Sequence, residues 1–124
     1  MEMKNSKLSI TVEEINDIEV MALNGEVDSS TVSDLKDRLN DLILSSAGRP
    51  RLVLDCAKLN FINSSGISLL LVCQRNVEKK HGQLAFCGLS EKIHEIFATL
   101  KLDNVLLFYK STGDALKTMQ SERP

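Results

Sequence analysis

The sequence predicts an α/β fold: a mixed, largely parallel sheet of about four to five strands with about four helices packed on it. Two observations indicate this class. Near the N-terminus, two strand-like segments are separated only by the turn signal Asn16-Asp17, which is typical of an antiparallel hairpin. After that hairpin, strand-like and helix-like segments alternate along the chain. The 124 residues suit one domain, which we expect to span residues 1–124 with an ordered core at about 8–118.

The spacing of apolar residues defines the hairpin strands and the first helix. Leu8–Glu14 alternates apolar and polar residues as a half-buried strand does, and Ile18–Leu23 is expected to pair with it antiparallel. Apolar residues three and four positions apart then give one helical stripe: Val32, Leu35, Leu39, Leu42 and Ile43. Three preceding residues are capable N-caps for this helix: Asp28, Ser29 and Ser30. Gly48 and Pro50 are expected to stop it.

The second half of the chain continues the alternation. Arg51–Cys56 is a short apolar run typical of a central strand. A helix from about Ser65 to Lys80 starts with apolar residues on nearly every side, so we expect it to be covered on several sides. The remaining elements are a strand at Leu84–Cys87, a helix capped by Ser90 with Ile93, Ile96, Phe97 and Leu100 on one face, a strand at Val105–Tyr109 and a helix at Thr112–Met119.

The composition argues against several classes of function. A net charge of −2 leaves no electrostatic footprint for nucleic acid. The apolar stretches fall short of the roughly 20 residues that span a bilayer, and the N-terminus has no apolar signal segment, so we expect a cytoplasmic protein without a membrane partner. Cys56, Cys73 and Cys87 stand in apolar contexts and are predicted to be buried and free. No His and Cys residues have the spacing of metal ligands, so no metal or cofactor is expected.

The stretch Asn63-Ser64-Ser65-Gly66 places small polar residues where the central strand is expected to turn into the buried helix. Such turns are the usual place for sites in open α/β sheets, and the helix N-terminus offers free N–H groups. Capping by one serine, with Gly66 allowing close packing, is one interpretation. Phosphorylation of a serine by a partner kinase is another. A nucleophilic serine and a phosphate-binding loop are both disfavoured, because their sequence motifs are missing.

Three segments strongly resemble the bacterial anti-sigma factor antagonists, which are single STAS domains. They are G-E-V-D at 25–28, L-D-C-A-K-L-N-F-I-N-S-S-G-I-S-L-L-L at 54–71 and H-G-Q-L-A-F-C-G-L-S at 81–90. The resemblance covers roughly residues 8–118, in order and with the expected spacing, and its central segment is the most diagnostic. It implies a STAS-like fold for the whole chain and a regulatory protein rather than an enzyme.

The resemblance also implies a mechanism of partner switching. In this family the unphosphorylated antagonist binds an anti-sigma factor that is also a serine kinase, phosphorylation releases it, and a serine phosphatase resets it. The phosphate acceptor of the family matches Ser64, and a position beside it matches Asp28. The residues expected to contact the partner are Asp28, Asn63, Ser64, Ser65, Gly66, Leu89 and Ser90. We expect a monomer or weak dimer.

One departure from the family keeps alternatives open. The family usually has an aspartate where this chain has Asn63, and the absent charge bears on kinase recognition and on the cost of adding phosphate. A STAS scaffold subunit of a larger signalling or transport assembly, never phosphorylated in normal use, is therefore a second hypothesis. A small serine hydrolase is a third, and a reactive-serine probe that labels Ser64 would support it.

Overall fold

Strands and helices alternate through most of the chain, as the sequence predicts. The computed structural model describes residues 3–4, 7–46 and 48–121, so residues 1–2, 5–6, 47 and 122–124 lie outside it. The strands are β1 (Met3–Lys4), β2 (Leu8–Ile15), β3 (Ile18–Val27), β4 (Arg51–Ile62), β5 (Gln83–Cys87) and β6 (Leu107–Tyr109). The helices are α1 (Val32–Ser45), α2 (Ser64–Lys79), α3 (Glu91–Thr99) and α4 (Thr112–Ser121), with a 3-10 turn at Leu102–Asn104. The predicted α/β class is confirmed.

The strands form one mixed sheet in the order β1-β2-β3-β4-β5-β6. β1, β2 and β3 are antiparallel neighbours, whereas β3, β4, β5 and β6 run parallel. The predicted hairpin between β2 and β3 turns at Asn16 and Asp17, whose φ angles of 52° and 67° are left-handed values that short polar residues tolerate. β1 is a two-residue edge strand that the sequence did not predict. It lies before the expected ordered core, and it raises the strand count to six.

β4 is twice as long as the sequence indicated. The apolar run predicts Arg51–Cys56, but the strand continues to Ile62 alongside β3. Two register shifts interrupt this pairing, the first between Ala22 and Asn24 and the second between Gly25 and Glu26. Shifts of this kind break the alternation of buried and exposed residues, so the second half of the strand lacks a regular strand pattern in the sequence. The extension carries the start of α2 past the end of β5, which pairs with β4 only as far as Asp55.

The core has two parts, one on each face of the sheet. The larger cluster joins the sheet to α1, α2 and α3, and its fully buried side chains include Leu54, Phe86 and Phe97. The smaller cluster joins the opposite face to α4: Ile18, Val20, Val53, Ala85, Cys87, Ala115 and Met119. α1 and α2 each connect two parallel strands, so both start at the edge of the sheet where those strands end.

Several local predictions need correction. None of Asp28, Ser29 and Ser30 is the N-cap of α1, which begins at Val32 after Thr31. β6 begins at Leu107 rather than Val105, because the 3-10 turn occupies the residues before it. Two apolar residues expected to be covered are half-exposed: Leu100 at 53% and Val72 at 49%. The three cysteines are buried and free, as predicted, and burial raises the pKa of the Cys73 thiol to about 11.

Candidate functional site

Two strand-to-helix turns lie side by side at the carboxyl ends of β3 and β4. The last residues of these parallel strands, Val27 and Ile62, are paired. The backbone N–H of Asn63 donates to the carbonyl of Val27 at 3.1 Å. The turn after β3 contains Asp28 and leads to α1, and the turn after β4 leads directly into α2. The structure therefore brings Asp28 close to the start of α2, at the kind of edge where open α/β sheets carry their sites.

Asn63 ties the two turns together and caps α2. Its Oδ1 accepts a hydrogen bond from the backbone N–H of Gly66 at 3.1 Å, which is the geometry of an N-cap. Its Nδ2 donates to Ser29 Oγ at 3.4 Å, in the turn before α1. The capping interpretation thus holds for this turn, but the capping residue is the asparagine and not a serine. The cap needs the side-chain oxygen of Asn63 as an acceptor, whereas the bond to Ser29 needs its amide N–H as a donor.

Ser64 and Ser65 are left with free hydroxyls because Asn63 supplies the cap. Both residues are exposed in the first turn of α2. Neither hydroxyl hydrogen-bonds to another residue within the described ranges. The N-terminal end of a helix carries partial positive charge, so negative charge added at Ser64 is favourable for the helix itself. The hydroxyl of Ser64 is therefore accessible, at a position where the helix dipole favours negative charge.

Gly66 is buried and allows α2 to start close to the strand ends. A Cβ atom at this position would lie 2.7 Å from Val27 Cγ1 and 2.8 Å from Ile62 Cγ1, distances that real side chains do not reach. Both of those neighbours are themselves buried. Gly66 therefore lets the first turn of α2 pack closely against the ends of β3 and β4.

Asp28 organises the first turn through its carboxylate. Oδ1 accepts hydrogen bonds from Ser30 N at 2.8 Å and from Ser30 Oγ at 2.7 Å. Oδ2 forms an ion pair with Lys7 Nζ at 2.9 Å. The hydrogen bonds from Ser30, followed by the one from Lys7, hold the pKa of Asp28 well below its usual value, so this group stays ionised at neutral pH.

Sequence reasoning missed Lys7 as part of the site. It lies 21 positions before Asp28, and no local pattern links the two. Gly25 was the sequence signal for this contact. Its φ is +124°, and a Cβ there would lie 2.0 Å from the Lys7 carbonyl oxygen, so only a glycine fits at this position. The backbone N–H of Glu26 donates to that same oxygen at 2.8 Å. The G-E-V-D segment therefore holds the chain at Lys7 beside the turn that contains Asp28.

The structure does not join Leu89 and Ser90 to this cluster. Both follow β5, which stops beside the middle of β4, whereas Ser64 follows the far end of β4. Ser90 caps α3, because its Oγ accepts a hydrogen bond from the N–H of Ile93 at 3.2 Å. Leu89 is partly buried and lines a separate groove beside His94 and Phe108.

Two kinds of feature are absent from the described residues. Within those residues, no three or more His, Cys, Asp and Glu side chains come together as a metal site would require. Among the helices of the described part of the chain, none has the length and apolar character needed to cross a membrane.

The role of Asn63 gives a testable prediction about stability. Replacing Asn63 with Ala removes the cap and the bond to Ser29, so we expect the free energy of unfolding to fall by about 1 kcal/mol. Asn63→Asp keeps the acceptor and places a charge favourably at the helix N-terminus, so it should remain closer to the unchanged protein than Asn63→Ala does. Denaturant unfolding measures both.

Ser65→Ala is the matched control for this prediction, since Ser65 is exposed and its hydroxyl bonds to no other described residue. A change within about 0.5 kcal/mol is expected for it. A larger loss for Ser65→Ala than for Asn63→Ala would mean that a serine and not the asparagine caps α2.

Fold and site together define an α/β domain that displays two strand-to-helix turns side by side. The sequence matches the STAS domain family over residues 9–115, and the chain belongs to that family. It is 25% identical over 113 residues to the anti-sigma F factor antagonist of Paenibacillus polymyxa, covering 91% of this chain and 96% of that protein.

Two solved structures are similar in fold. The first, an anti-sigma factor antagonist from Mycobacterium paratuberculosis, has a TM-score of 0.83 at 20% identity, with 94% of this chain and 97% of that chain covered. The second is the Bacillus cell fate determinant SpoIIAA in its phosphorylated form, with a TM-score of 0.70 at 21% identity and with 89% and 98% covered.

Proposed function

We propose that this chain is an anti-sigma factor antagonist that binds a serine-kinase anti-sigma factor through the turns around Asp28 and Ser64. Phosphorylation of Ser64 switches the binding off, and a serine phosphatase restores it. In this proposal the chain is a cytoplasmic regulator and not an enzyme. The observation that carries it is the hydroxyl of Ser64, which is exposed at a helix N-terminus and spared from capping by Asn63.

Two of the similar proteins support the proposal by what their names say. The Paenibacillus relative is named an anti-sigma F factor antagonist, and it is matched over nearly its whole length. The structure of SpoIIAA has been solved in a phosphorylated form, so the fold of that protein accommodates a phosphate. The fold of this chain is the same, and it presents a serine at the start of α2.

The electrostatics of the turn are compatible with a switch despite Asn63. The carboxylate of Asp28 is already paired with Lys7, and the residue directly before Ser64 is neutral. A phosphoserine carries about −1.5 to −2 charges at pH 7, and the first turn of α2 faces it with partial positive charge. Phosphate on Ser64 therefore changes the stability of the free protein little, and its main effect is on the binding of a partner at this turn.

Mapping the phosphate tests the proposal directly. The protein is incubated with a kinase-type anti-sigma factor and ATP, and the modified residue is located by mass spectrometry. We expect one phosphate, on Ser64, and none on Ser64→Ala. Ser65→Ala is the matched control, since the neighbouring hydroxyl is also exposed, and it should be modified at Ser64 as before. Phosphate on Ser65, or undiminished phosphorylation of Ser64→Ala, would show the site assignment to be wrong.

A further inference from the structure

A groove of about 430 Å³ opens between α1 and α2, beginning beside the phosphoacceptor turn. Its apolar lining comes from Val32, Leu69 and Val72, and its polar lining includes Lys36, Ser65 and Ser68. Ser65 directly follows Ser64, so the groove and the candidate site are continuous. The residues contributed by α2 are spaced by three and four positions, which places them along one side of that helix.

Nothing in the described part of the chain covers this side of α2. Val72 is 49% exposed, although the preceding turns of α2 bury most of their apolar residues in the core. Lys36 is exposed and forms no ion pair with any other described residue. What distinguishes Val72 and Lys36 from other exposed residues of the two helices is that they line one groove together with Ser65, next to the proposed contact site.

We propose that this groove receives an amphipathic helix of the anti-sigma kinase, which inserts an apolar side chain against Leu69 and Val72 and faces Lys36 with an acidic residue. This inference rests on the proposed function. The groove extends from Ser65 to Val72, which is about two helical turns or roughly 10 Å, and that length suits a partner helix with apolar residues at i and i+3 or i+4. The cation at its side selects for a partner with the opposite charge.

The groove sets the register of the partner on this domain. A helix seated between α1 and α2 would extend to the start of α2, where it meets the hydroxyl of Ser64 or the phosphate that replaces it. The apolar contact then supplies affinity in both states, and the charge on Ser64 decides between them.

The experiment measures the affinity of the kinase that phosphorylates Ser64 for a set of variants, by calorimetric titration in the presence of ADP. Val72→Asp should weaken binding about tenfold or more, because it places an unpaired charge in the apolar part of the contact. Lys36→Glu should weaken binding about fivefold or more and reduce its dependence on salt. Leu44→Asp is the matched control: Leu44 is 74% exposed on α1 and outside the groove, so affinity should stay within about twofold.

The outcomes separate this inference from the proposed function. Suppose that the kinase binds the unchanged protein and that phosphorylation abolishes this binding. If Val72→Asp and Lys36→Glu then bind the kinase as tightly as Leu44→Asp does, the groove is not the docking site. If Val72→Asp instead converts a dimer to a monomer in light scattering without changing the affinity for the kinase, the groove is an interface between copies of this chain. If no kinase binds or phosphorylates the chain at all, the proposed function is wrong and this inference with it.

Discussion

Phosphorylation of Ser64 is expected to weaken binding of the anti-sigma kinase by roughly thirtyfold to several thousandfold. An unpaired charge at a close interface costs about 2–5 kcal/mol, and each 1.4 kcal/mol corresponds to about a tenfold change in affinity. Ser64 is exposed, and its hydroxyl bonds to no other described residue. In the proposed complex the partner would meet that hydroxyl directly, and a phosphate would then either find a cation on the partner or remain unpaired.

Ser64→Glu provides a stable test of this effect. It carries one negative charge where the phosphate carries nearly two, so the loss of affinity should lie toward the lower end of the range. Ser64→Gln is the matched control because it has the same size and no charge. We expect Ser64→Gln to bind much more tightly than Ser64→Glu, and the difference between them to shrink as salt is raised.

The stability of the same two variants separates charge from misfolding. A carboxylate in the first turn of α2 interacts favourably with the helix N-terminus, so Ser64→Glu should unfold at the same temperature as the unchanged protein or slightly above it. Equal losses of affinity for Ser64→Glu and Ser64→Gln would show that bulk and not charge expels the partner. That result would contradict the electrostatic switch even if Ser64 is the residue phosphorylated.

The sequence predicted most elements because their periodicity is local. The α1 stripe is an example: Leu35, Leu39 and Ile43 are buried, as their spacing requires. β4 was predicted too short for a physical reason. Its second half pairs with β3 through register shifts, and Ala57 and Lys58 are both exposed, so neither strict alternation nor a continuous apolar run survives there.

The candidate site was predictable only in part. The segment from Asn63 to Gly66 could be recognised as a helix start. Its residues are all of types that can serve as an N-cap, so the sequence did not identify the capping residue. Which one caps depends on where the helix begins. Because β4 extends to Ile62, Asn63 keeps extended backbone angles, with φ of −102° and ψ of −176°, and Ser64 is already helical. The contacts of Asp28 with Lys7 and of Asn63 with Ser29 join distant parts of the chain, and periodicity carries no information about them.

Gly25→Ala is expected to cost about 3 kcal/mol or more of the free energy of unfolding. The added Cβ would lie 2.0 Å from the carbonyl oxygen of Lys7 and 3.2 Å from Leu8 Cα, and both are backbone atoms that no rotamer change can move. The φ of +124° adds strain for any residue with a side chain. Overpacking and backbone strain each contribute about 1–3 kcal/mol, and here they act together.

Gly113→Ala is the matched control for Gly25→Ala. Gly113 lies in the first turn of α4, and the nearest atom to a Cβ there is Ser111 Oγ at 3.7 Å, an ordinary contact. Its replacement should leave stability unchanged or raise it by up to about 1 kcal/mol, since alanine restricts the unfolded chain. Equal stabilities for the two alanine variants would mean that β2 shifts freely against β3 at Lys7.

The Gly25 variant also tests how the fold supports the site. A shift of the chain at Lys7 would separate its ammonium from Asp28 while leaving Asn63 and Ser64 on the far side of the paired turns. Lys7→Ala removes the same ion pair without disturbing the strand contact, and the exposed pair contributes little to stability. If Gly25→Ala weakens the binding of the kinase and Lys7→Ala does not, the backbone path of the first turn matters to the partner. If both weaken it equally, the partner depends on the ion pair that Gly25 positions.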